Sequence, residues 1–218
     1  MKFSFIAANT NRSYVYLRHF IINKMLPNEI FFYTKKLKKN ILTLINQKKI
    51  KVTIFKTNNI NNKTLIEKIK KSKNHNLIFS GYPGEIVNTK ILKKKIIHSH
   101  PGKLPNFKGS TTIYYSILMK RAIYCTCLQI NEKIDSGKIL FVKKFKLPTK
   151  INSIESNYND EIRAKTLIAY LKSKKKNIKI KLTNKMESSF SKTYYIAHPI
   201  IRQIVLDKKK LLALKKFL

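Results

Sequence analysis

The sequence predicts an α/β fold in which a doubly wound, mostly parallel sheet carries a small C-terminal appendage. Segments with the period of strands alternate with segments with the period of helices over most of the 218 residues, which is typical of a parallel sheet with crossover helices. Hydrophobic residues make up 43% of the chain, enough for a core of its own. All five glycines fall within residues 81–137, so the unusual backbone positions are concentrated in one region.

Strands are predicted where short runs of apolar, β-branched or aromatic residues lie between polar or turn residues. We interpret the N-terminal run as a buried strand rather than an export signal, because Asn9, Asn11 and Arg12 cut it short. The last two strands are expected to be antiparallel neighbours at the sheet edge. The predicted strands span residues 1–8, 29–34, 51–56, 76–80, 95–99, 122–129 and 138–145.

Helices are predicted where apolar residues recur every three to four positions. The first is expected to begin after the polar loop 9–13 and to end before Pro27. Ser110 or Thr111 is expected to cap a later helix, because either hydroxyl can accept a hydrogen bond from the first turn. The predicted helices span residues 14–25, 35–47, 63–73, 110–119 and 152–172, with a helical turn at 87–92.

Two regions are predicted along the chain. Residues 1–150 form the sheet-bearing domain, and residues 151–218 form a helical or irregular extension that packs back on it. Within the extension, residues 178–182 have a strand-like pattern, while 193–207 and 210–218 form a terminal appendage. The length fits one domain with a small addition.

The formal net charge of +37 at pH 7 allows two interpretations. Clustered lysines would indicate a nucleic-acid binder, because they release counterions from phosphates. The lysines are instead spread over the whole chain, and arginine, which contacts phosphates and bases with a planar fork, is scarce. We therefore favour a compositional bias that gives a general attraction to anionic ligands. The basic segment 208–218 could lie on an anionic surface, but a helix docked on the core is favoured.

The sequence also disfavours several kinds of site and location. No apolar run reaches the roughly 18–20 residues of a membrane helix. Cys125 and Cys127 lie two residues apart, which suits neither an ordinary disulfide nor a zinc-binding pair and favours a reduced, cytoplasmic protein without a metal site. Loop 9–13 lacks the Gly-x-Gly-x-x-Gly pattern, and no Gly-x-x-x-x-Gly-Lys-Ser/Thr occurs, so dinucleotide and P-loop chemistry are not expected.

The most informative stretch is residues 98–109, His-Ser-His-Pro-Gly-Lys-Leu-Pro-Asn-Phe-Lys-Gly. His98 and His100 alternate on an extended segment and therefore project to the same side. Asp135 is one of three aspartates, and it follows a strand–turn boundary from which it could reach them. A histidine paired with a carboxylate suits proton transfer near neutral pH. The alternative is a His-Pro turn that only closes a loop; the prolines, the glycines and the position at a strand end favour a site.

This motif resembles the signature of the tetrahydrofolate-dependent formyltransferases, which runs Asn-x-His-Pro-Ser/Gly-x-Leu-Pro, then a basic-Gly pair and a distal Asp-x-Gly before an apolar strand. The family includes glycinamide ribonucleotide, methionyl-tRNA and sugar-nucleotide N-formyltransferases. The resemblance covers residues 1–150 in strand order and is specific at 98–109 and 134–140. The segment 194–201 resembles the tails of bacterial sugar N-formyltransferase-like proteins. The resemblance implies a Rossmann-like formyltransferase domain.

The resemblance also implies roles for individual residues, with 10-formyltetrahydrofolate as the cosubstrate. His100 and Asp135 take catalytic positions, and His98 stands where the family has its catalytic Asn. A histidine N–H can also donate to a developing oxyanion, more strongly when the ring is protonated. The folate is expected to contact Gly81, Tyr82, Pro83, Gly84 and Ile86, and the acceptor to contact Lys103, Lys108, Gly109 and Ser110.

A primary amine of an amino-sugar nucleotide is the favoured acceptor, since a nucleotide sugar suits the positive charge of the chain. The alternatives are methionyl-tRNA, glycinamide ribonucleotide, and hydrolysis of the same folate by water. A different class, a basic nucleic-acid or membrane-surface binding protein on a degenerate formyltransferase fold, also stays open. The sequence does not predict the oligomeric state.

Overall fold

A seven-stranded sheet forms the centre of the protein in this computed structural model, which describes residues 2–48, 50–89, 93–178, 192–207 and 210–211. The strands are β1 (Ser4–Ala8), β2 (Glu29–Tyr33), β3 (Lys51–Phe55), β4 (Asn76–Ser80), β5 (Lys95–His100), β6 (Phe107–Gly109), β7 (Ile123–Gln129), β8 (Lys138–Phe145) and β9 (Lys192–Tyr194). The central sheet has the order β3-β2-β1-β4-β5-β7-β8, and β6 pairs separately with β9. Strands β1 to β5 are parallel, and β7 and β8 are antiparallel at one edge. The predicted doubly wound, mostly parallel fold is confirmed.

The strand order reverses at β1, which is the topological switch point of the sheet. The chain places β2 and β3 on one side of β1 and then returns to place β4 and β5 on the other side. Connections that leave neighbouring strands in opposite directions open a crevice beyond the strands' carboxyl ends, and ligands bind there in doubly wound folds. We call the edge where β1, β4 and β5 end the carboxyl edge.

Helices cover both faces of the sheet. They are α1 (Asn11–Ile22), α2 (Lys39–Asn46), α3 (Lys63–Lys71), α4 (Thr112–Lys120), α5 (Tyr158–Lys175) and α6 (Pro199–Leu206), with a 3₁₀ helix at Ile151–Glu155. Consecutive residues of β1 belong to different layers, because strand side chains alternate. Phe5 packs with Leu17 of α1 and Leu167 of α5, whereas Ile6 packs on the opposite face with Leu65 of α3.

Helix α5 lies beyond the predicted domain boundary at residue 150 but shares its core cluster with α1. The carboxylate of Glu161 on α5 also contacts two side chains of α1, the Arg18 guanidinium and the His19 ring, the latter at 2.8 Å from Nε2 to Oε2. The division into residues 1–150 and 151–218 stays a prediction.

Several element boundaries differ from the sequence prediction. Helix α1 begins at Asn11 rather than at 14, because Thr10 Oγ1 accepts a hydrogen bond from the Ser13 amide and caps the helix early. The predicted helix 152–172 is interrupted between the 3₁₀ helix and α5, where the Ser156 hydroxyl donates to the Ser153 carbonyl and competes with helical bonding. Thr111 occupies the cap position of α4 but makes no capping hydrogen bond with its side chain.

Three predicted segments lie wholly or partly outside the described residues: 87–92, 178–182 and 208–218. The predicted appendage 193–207 contains part of β9 and all of α6, and α6 contributes Val205 to a third core cluster with Ile117 of α4. Within the described ranges, no helix combines the length and the apolar character that crossing a bilayer requires.

Replacing Leu167 with Ala tests whether α5 is integral to the sheet domain. Leu167 is 1% exposed, and the cavity left by the lost side chain should lower the free energy of unfolding by about 2–5 kcal/mol. Urea denaturation should show a single transition that shifts as a whole. Leu147→Ala is the control, because Leu147 is 37% exposed. A second, separate transition in the Leu167→Ala protein would contradict a shared core.

Candidate active site

Strand β5 presents both motif histidines at the carboxyl edge. The strand ends at His100, and its side chains alternate, so His98 and His100 lie on one face while Ser99 lies on the other. Ser99 is accordingly held on the α5 face, where its hydroxyl donates to the Arg163 carbonyl. The two imidazoles therefore lie together at the carboxyl edge.

The His100 ring is buried, and each of its nitrogens faces an oxygen. Nε2 lies 2.7 Å from the Phe107 carbonyl oxygen, and Nδ1 lies 3.3 Å from Oδ1 of Asp135. Thr112 Oγ1 is 3.3 Å from Nε2, but its own proton is donated to the Pro101 carbonyl. Every oxygen around Nε2 is therefore an acceptor, which favours the neutral tautomer with the proton on Nε2.

Asp135 reaches His100 from the turn before β8. Its backbone has a φ of 48°, a left-handed conformation that aspartate tolerates better than most residues. Oδ2 accepts a hydrogen bond of 2.8 Å from the Gly109 amide, while Oδ1 faces His100. The Asp135 side chain is 14% exposed and the His100 side chain 4%, so the carboxylate is the more accessible member of the pair.

The electrostatics favour a neutral His100 ring, which leaves no hydrogen between His100 Nδ1 and Asp135 Oδ1. Burial lowers the pKa of His100, the Asp135 carboxylate opposes this shift, and Arg163 adds to the lowering. With the ring neutral and its proton on Nε2, the lone pair of Nδ1 faces the carboxylate. A proton placed between Nδ1 and Oδ1 would satisfy both atoms. The pair is arranged to accept a proton.

His98 is a poorer donor than the sequence suggested. Burial lowers its pKa well below the usual value, and Arg163, Arg12 and His100 lower it further. The protonated ring is therefore disfavoured near neutral pH. Nδ1 lies 3.4 Å from the Phe79 carbonyl oxygen, so the neutral ring has a free donor only when its proton is on Nε2.

The loop predicted to contact folate follows β4 at the carboxyl edge. Gly81 is buried, and a Cβ there would lie 2.7 Å from the Tyr33 hydroxyl, so a larger residue would require the neighbouring side chains to move. Tyr82 is half-buried, whereas Pro83, Gly84 and Ile86 are exposed and accessible. The contact of this loop with folate stays a prediction.

The residues predicted to bind the acceptor differ in their exposure and in whether their backbone amides are free to bind a ligand. Lys103 and Ser110 are exposed, and Lys108 and Gly109 are half-buried. The Lys103 ammonium lies 5.7 Å from the centre of the Tyr124 ring. The amides of Gly109 and Ser110 are already used, since they donate to Asp135 and to the Tyr194 carbonyl. Their contact with an acceptor stays a prediction.

Glu85 is one of the site residues that the sequence reasoning missed. Its Oε2 accepts hydrogen bonds from the Tyr82 amide, at 2.6 Å, and from the Tyr33 hydroxyl, which fixes the loop. Burial raises the pKa of Glu85. A carboxylate inside an apolar loop of a chain with only ten acids was the signal available.

Two arginines at the carboxyl edge were also missed. The Arg12 guanidinium donates to the Gly81 carbonyl and to Ser80 Oγ, and Arg163 Nη1 donates to the Ser99 carbonyl at 3.0 Å. Burial and Arg163 lower the pKa of Arg12 to about 10. The scarcity of arginine among so many lysines was the only signal in the sequence that pointed to these two residues. They add positive charge next to the histidines.

Together, the switch-point sheet and the buried histidine–carboxylate pair define an α/β protein with a candidate site for acid–base chemistry at its carboxyl edge. Across the described ranges, no group of three or more His, Cys, Asp and Glu side chains is arranged to hold a metal ion.

The chain belongs to the formyl transferase family, whose sequence model matches residues 5–172, and it is an enzyme of that type. A search of curated proteins found no match. Solved structures share the fold. A sugar N-formyltransferase from Shewanella sp. superposes with a TM-score of 0.61 at 19% identity, covering 94% of this chain and 87% of that chain.

Two further structures show the range of relatives. The N-formyltransferase from Helicobacter canadensis, in complex with folinic acid and dTDP-3-aminofucose, has a TM-score of 0.57 at 18% identity, covering 89% of this chain and 71% of that chain. Phosphoribosylglycinamide formyltransferase from Bacillus halodurans has a TM-score of 0.53 at 18% identity, covering 81% of this chain and 98% of that chain.

Replacing Gly102 with Ala should displace the His100 ring. A Cβ at Gly102 would lie 2.9 Å from His100 Nε2 and 2.8 Å from the Phe107 carbonyl oxygen, so we expect overpacking to cost about 1–3 kcal/mol of stability. The ring signals of His100 in NMR spectra should move. Gly84→Ala is the control: its φ of 79° makes Ala unfavourable, but nothing lies within 4 Å of the added Cβ. An unmoved His100 signal in the Gly102→Ala protein would contradict the close packing.

Proposed function

We propose that this enzyme transfers the formyl group of 10-formyltetrahydrofolate to a primary amine, with His100 and Asp135 as the catalytic pair. The observation that carries the proposal is the contact of 3.3 Å between His100 Nδ1 and Asp135 Oδ1, at the edge of the sheet where ligands bind in this kind of fold.

The proposed reaction needs one proton acceptor and one oxyanion donor. The amine nitrogen attacks the formyl carbon, a C–N bond forms, and negative charge develops on the formyl oxygen. The proton leaving the amine enters the site between Asp135 and His100, and the resulting imidazolium stabilises the oxyanion through its charge. The bond from the formyl carbon to N10 of the folate then breaks, the pair gives the proton it accepted to N10, and tetrahydrofolate leaves.

The cosubstrate is assigned to the loop of Tyr82, Pro83, Gly84 and Ile86. The accessible residues of this loop lie after β4 at the carboxyl edge, and Glu85 holds its backbone in place. The folinic acid bound by the Helicobacter canadensis enzyme supports a folate ligand.

The favoured acceptor is the amine of an amino-sugar nucleotide. Its supports are the dTDP-3-aminofucose bound by the Helicobacter canadensis relative and the net charge of +37, which attracts a diphosphate. A cytoplasmic location is part of the proposal and is supported by two buried cysteines that form no disulfide.

Incubation with 10-formyltetrahydrofolate and separate acceptors tests this proposal. Tetrahydrofolate should appear with amino-sugar nucleotides and not with glycinamide ribonucleotide, methionyl-tRNA or buffer alone. Release of tetrahydrofolate without any added amine would instead indicate a hydrolase. Activity with one of the other two acceptors would move the proposal to that substrate, and no turnover with any of them would reject formyl transfer.

Replacing His100 with Gln or Asp135 with Asn should lower the rate of formyl transfer by about 10²–10⁴, because each change removes the position that accepts the amine proton. The thermal unfolding midpoint should stay close to that of the unaltered protein. His75→Gln is the control, since His75 is exposed and lies outside the site. A rate near the unaltered value in either site variant would count against the pair.

Replacing His98 with Asn should raise kcat. An Asn side chain always has two amide donors, whereas His98 must move its proton to Nε2 and lose its contact with the Phe79 carbonyl. A hydrogen bond of about 1 kcal/mol corresponds to a rate increase of roughly fivefold. His98→Ala should lower kcat, and an Asn variant no faster than the Ala variant would show that position 98 does not contact the oxyanion.

A further inference from the structure

Strand β6 is only three residues long, and its inner edge holds both members of the catalytic pair. The Phe107 carbonyl accepts from His100 Nε2 at 2.7 Å, and the Gly109 amide donates to Asp135 Oδ2 at 2.8 Å. Successive residues of an extended strand turn their backbone groups to opposite edges, so Phe107 and Gly109, which are two residues apart, face the same side. The position of the pair therefore depends on where β6 lies.

The outer edge of β6 is held by β9, which comes some eighty residues later in the chain. The two strands pair in parallel, with Lys108 opposite Thr193 and Gly109 opposite Tyr194. The Ser110 amide donates to the Tyr194 carbonyl at 2.8 Å. The Tyr194 ring stacks on Phe107 with centroids 5.5 Å apart.

Thr111 fastens the end of this strand pair. Its hydroxyl donates to the Tyr195 carbonyl at 3.2 Å and accepts from the Ala197 amide at 2.7 Å. A threonine at the start of a helix usually gives its hydroxyl to the first turn, but Thr111 makes no such bond and has a φ of 50°. That backbone conformation is unfavourable for a β-branched residue and persists only where the surroundings impose it.

We propose that Thr111 is a positioning residue, which fixes β9 against β6 and thereby holds the Phe107 carbonyl and the Gly109 amide against His100 and Asp135. This inference rests on the proposed function, since it assigns to the Thr111 hydroxyl and to the backbone of residues 192–197 a part in the same catalytic site. Thr111 does not touch substrate; it acts through the backbone of β6.

The test compares Thr111→Val, which keeps the shape and removes the hydroxyl, with Thr111→Ser, which keeps the hydroxyl. The Val variant should have a kcat lower by about 10-fold to 100-fold, with a KM for 10-formyltetrahydrofolate changed by less than about twofold. The Ser variant should recover most of kcat. Thr193→Val is the matched control on β9, because within the described residues the Thr193 hydroxyl makes no hydrogen bond.

A second readout needs no turnover. The His100 ring should titrate at a lower pH in the Thr111→Val protein, followed by NMR, because a more distant Asp135 carboxylate favours the charged ring less. Asp135 and Arg163 are the charged groups that act on His100, and only Asp135 is held by β6. If Thr111→Val does not fold, Thr111→Ala removes the same hydroxyl with less strain at positive φ.

The outcomes separate the two proposals. An unaltered protein that transfers no formyl group rejects the proposed function, while the His100 titration still tests the role of Thr111. An active protein in which Thr111→Val keeps both its kcat and its His100 titration unchanged rejects the positioning role alone. A loss equal in Thr111→Val and Thr193→Val would also reject it.

Discussion

The site depends on one buried imidazole that lies between two oxygen acceptors and carries one proton when neutral. His100 faces the Phe107 carbonyl with one nitrogen and the Asp135 carboxylate with the other. A buried polar group without a partner is costly, so this arrangement is stable only if the surrounding backbone holds both oxygens in place. The absent side chain at Gly102 and the positive φ of Asp135 both serve that arrangement.

The sheet explains why this imidazole stands where a ligand can reach its partner. The reversal of strand order at β1 leaves the carboxyl ends of β1, β4 and β5 uncovered by a direct connection. Strand β5 ends at His100, so the chain leaves the sheet directly after this ring. The antiparallel strands β7 and β8 follow on the far side of β5, and the turn before β8 brings Asp135 back to the ring.

Much of the fold was predictable because it depends on local patterns, and the missed parts depend on contacts that are distant in sequence. The alternation of side chains on β5 predicted that His98 and His100 share a face. The rarity of aspartate and its position after a turn predicted Asp135 as the partner of the histidines. Nothing local shows that Arg12 bonds to Gly81, 69 residues away, or that Thr111 bonds to Ala197, 86 residues away. The early start of α1 was a local signal, the Thr10 cap, that apolar periodicity alone does not register.

The positive charge of the chain bears on the choice of acceptor in two ways. Arg163 lowers the pKa of both histidines and Arg12 lowers that of His98, so the two arginines also repel an ammonium group. Nearby positive charge lowers the pKa of an amine, and the neutral amine is the form that attacks a formyl carbon. A bare cationic amine would bind poorly in such a field, whereas an amine attached to a diphosphate is attracted through its phosphates and kept neutral at its nitrogen. A field of this sign therefore supports the proposed acceptor twice, because it attracts the phosphates of a nucleotide and favours the reactive state of the attached amine.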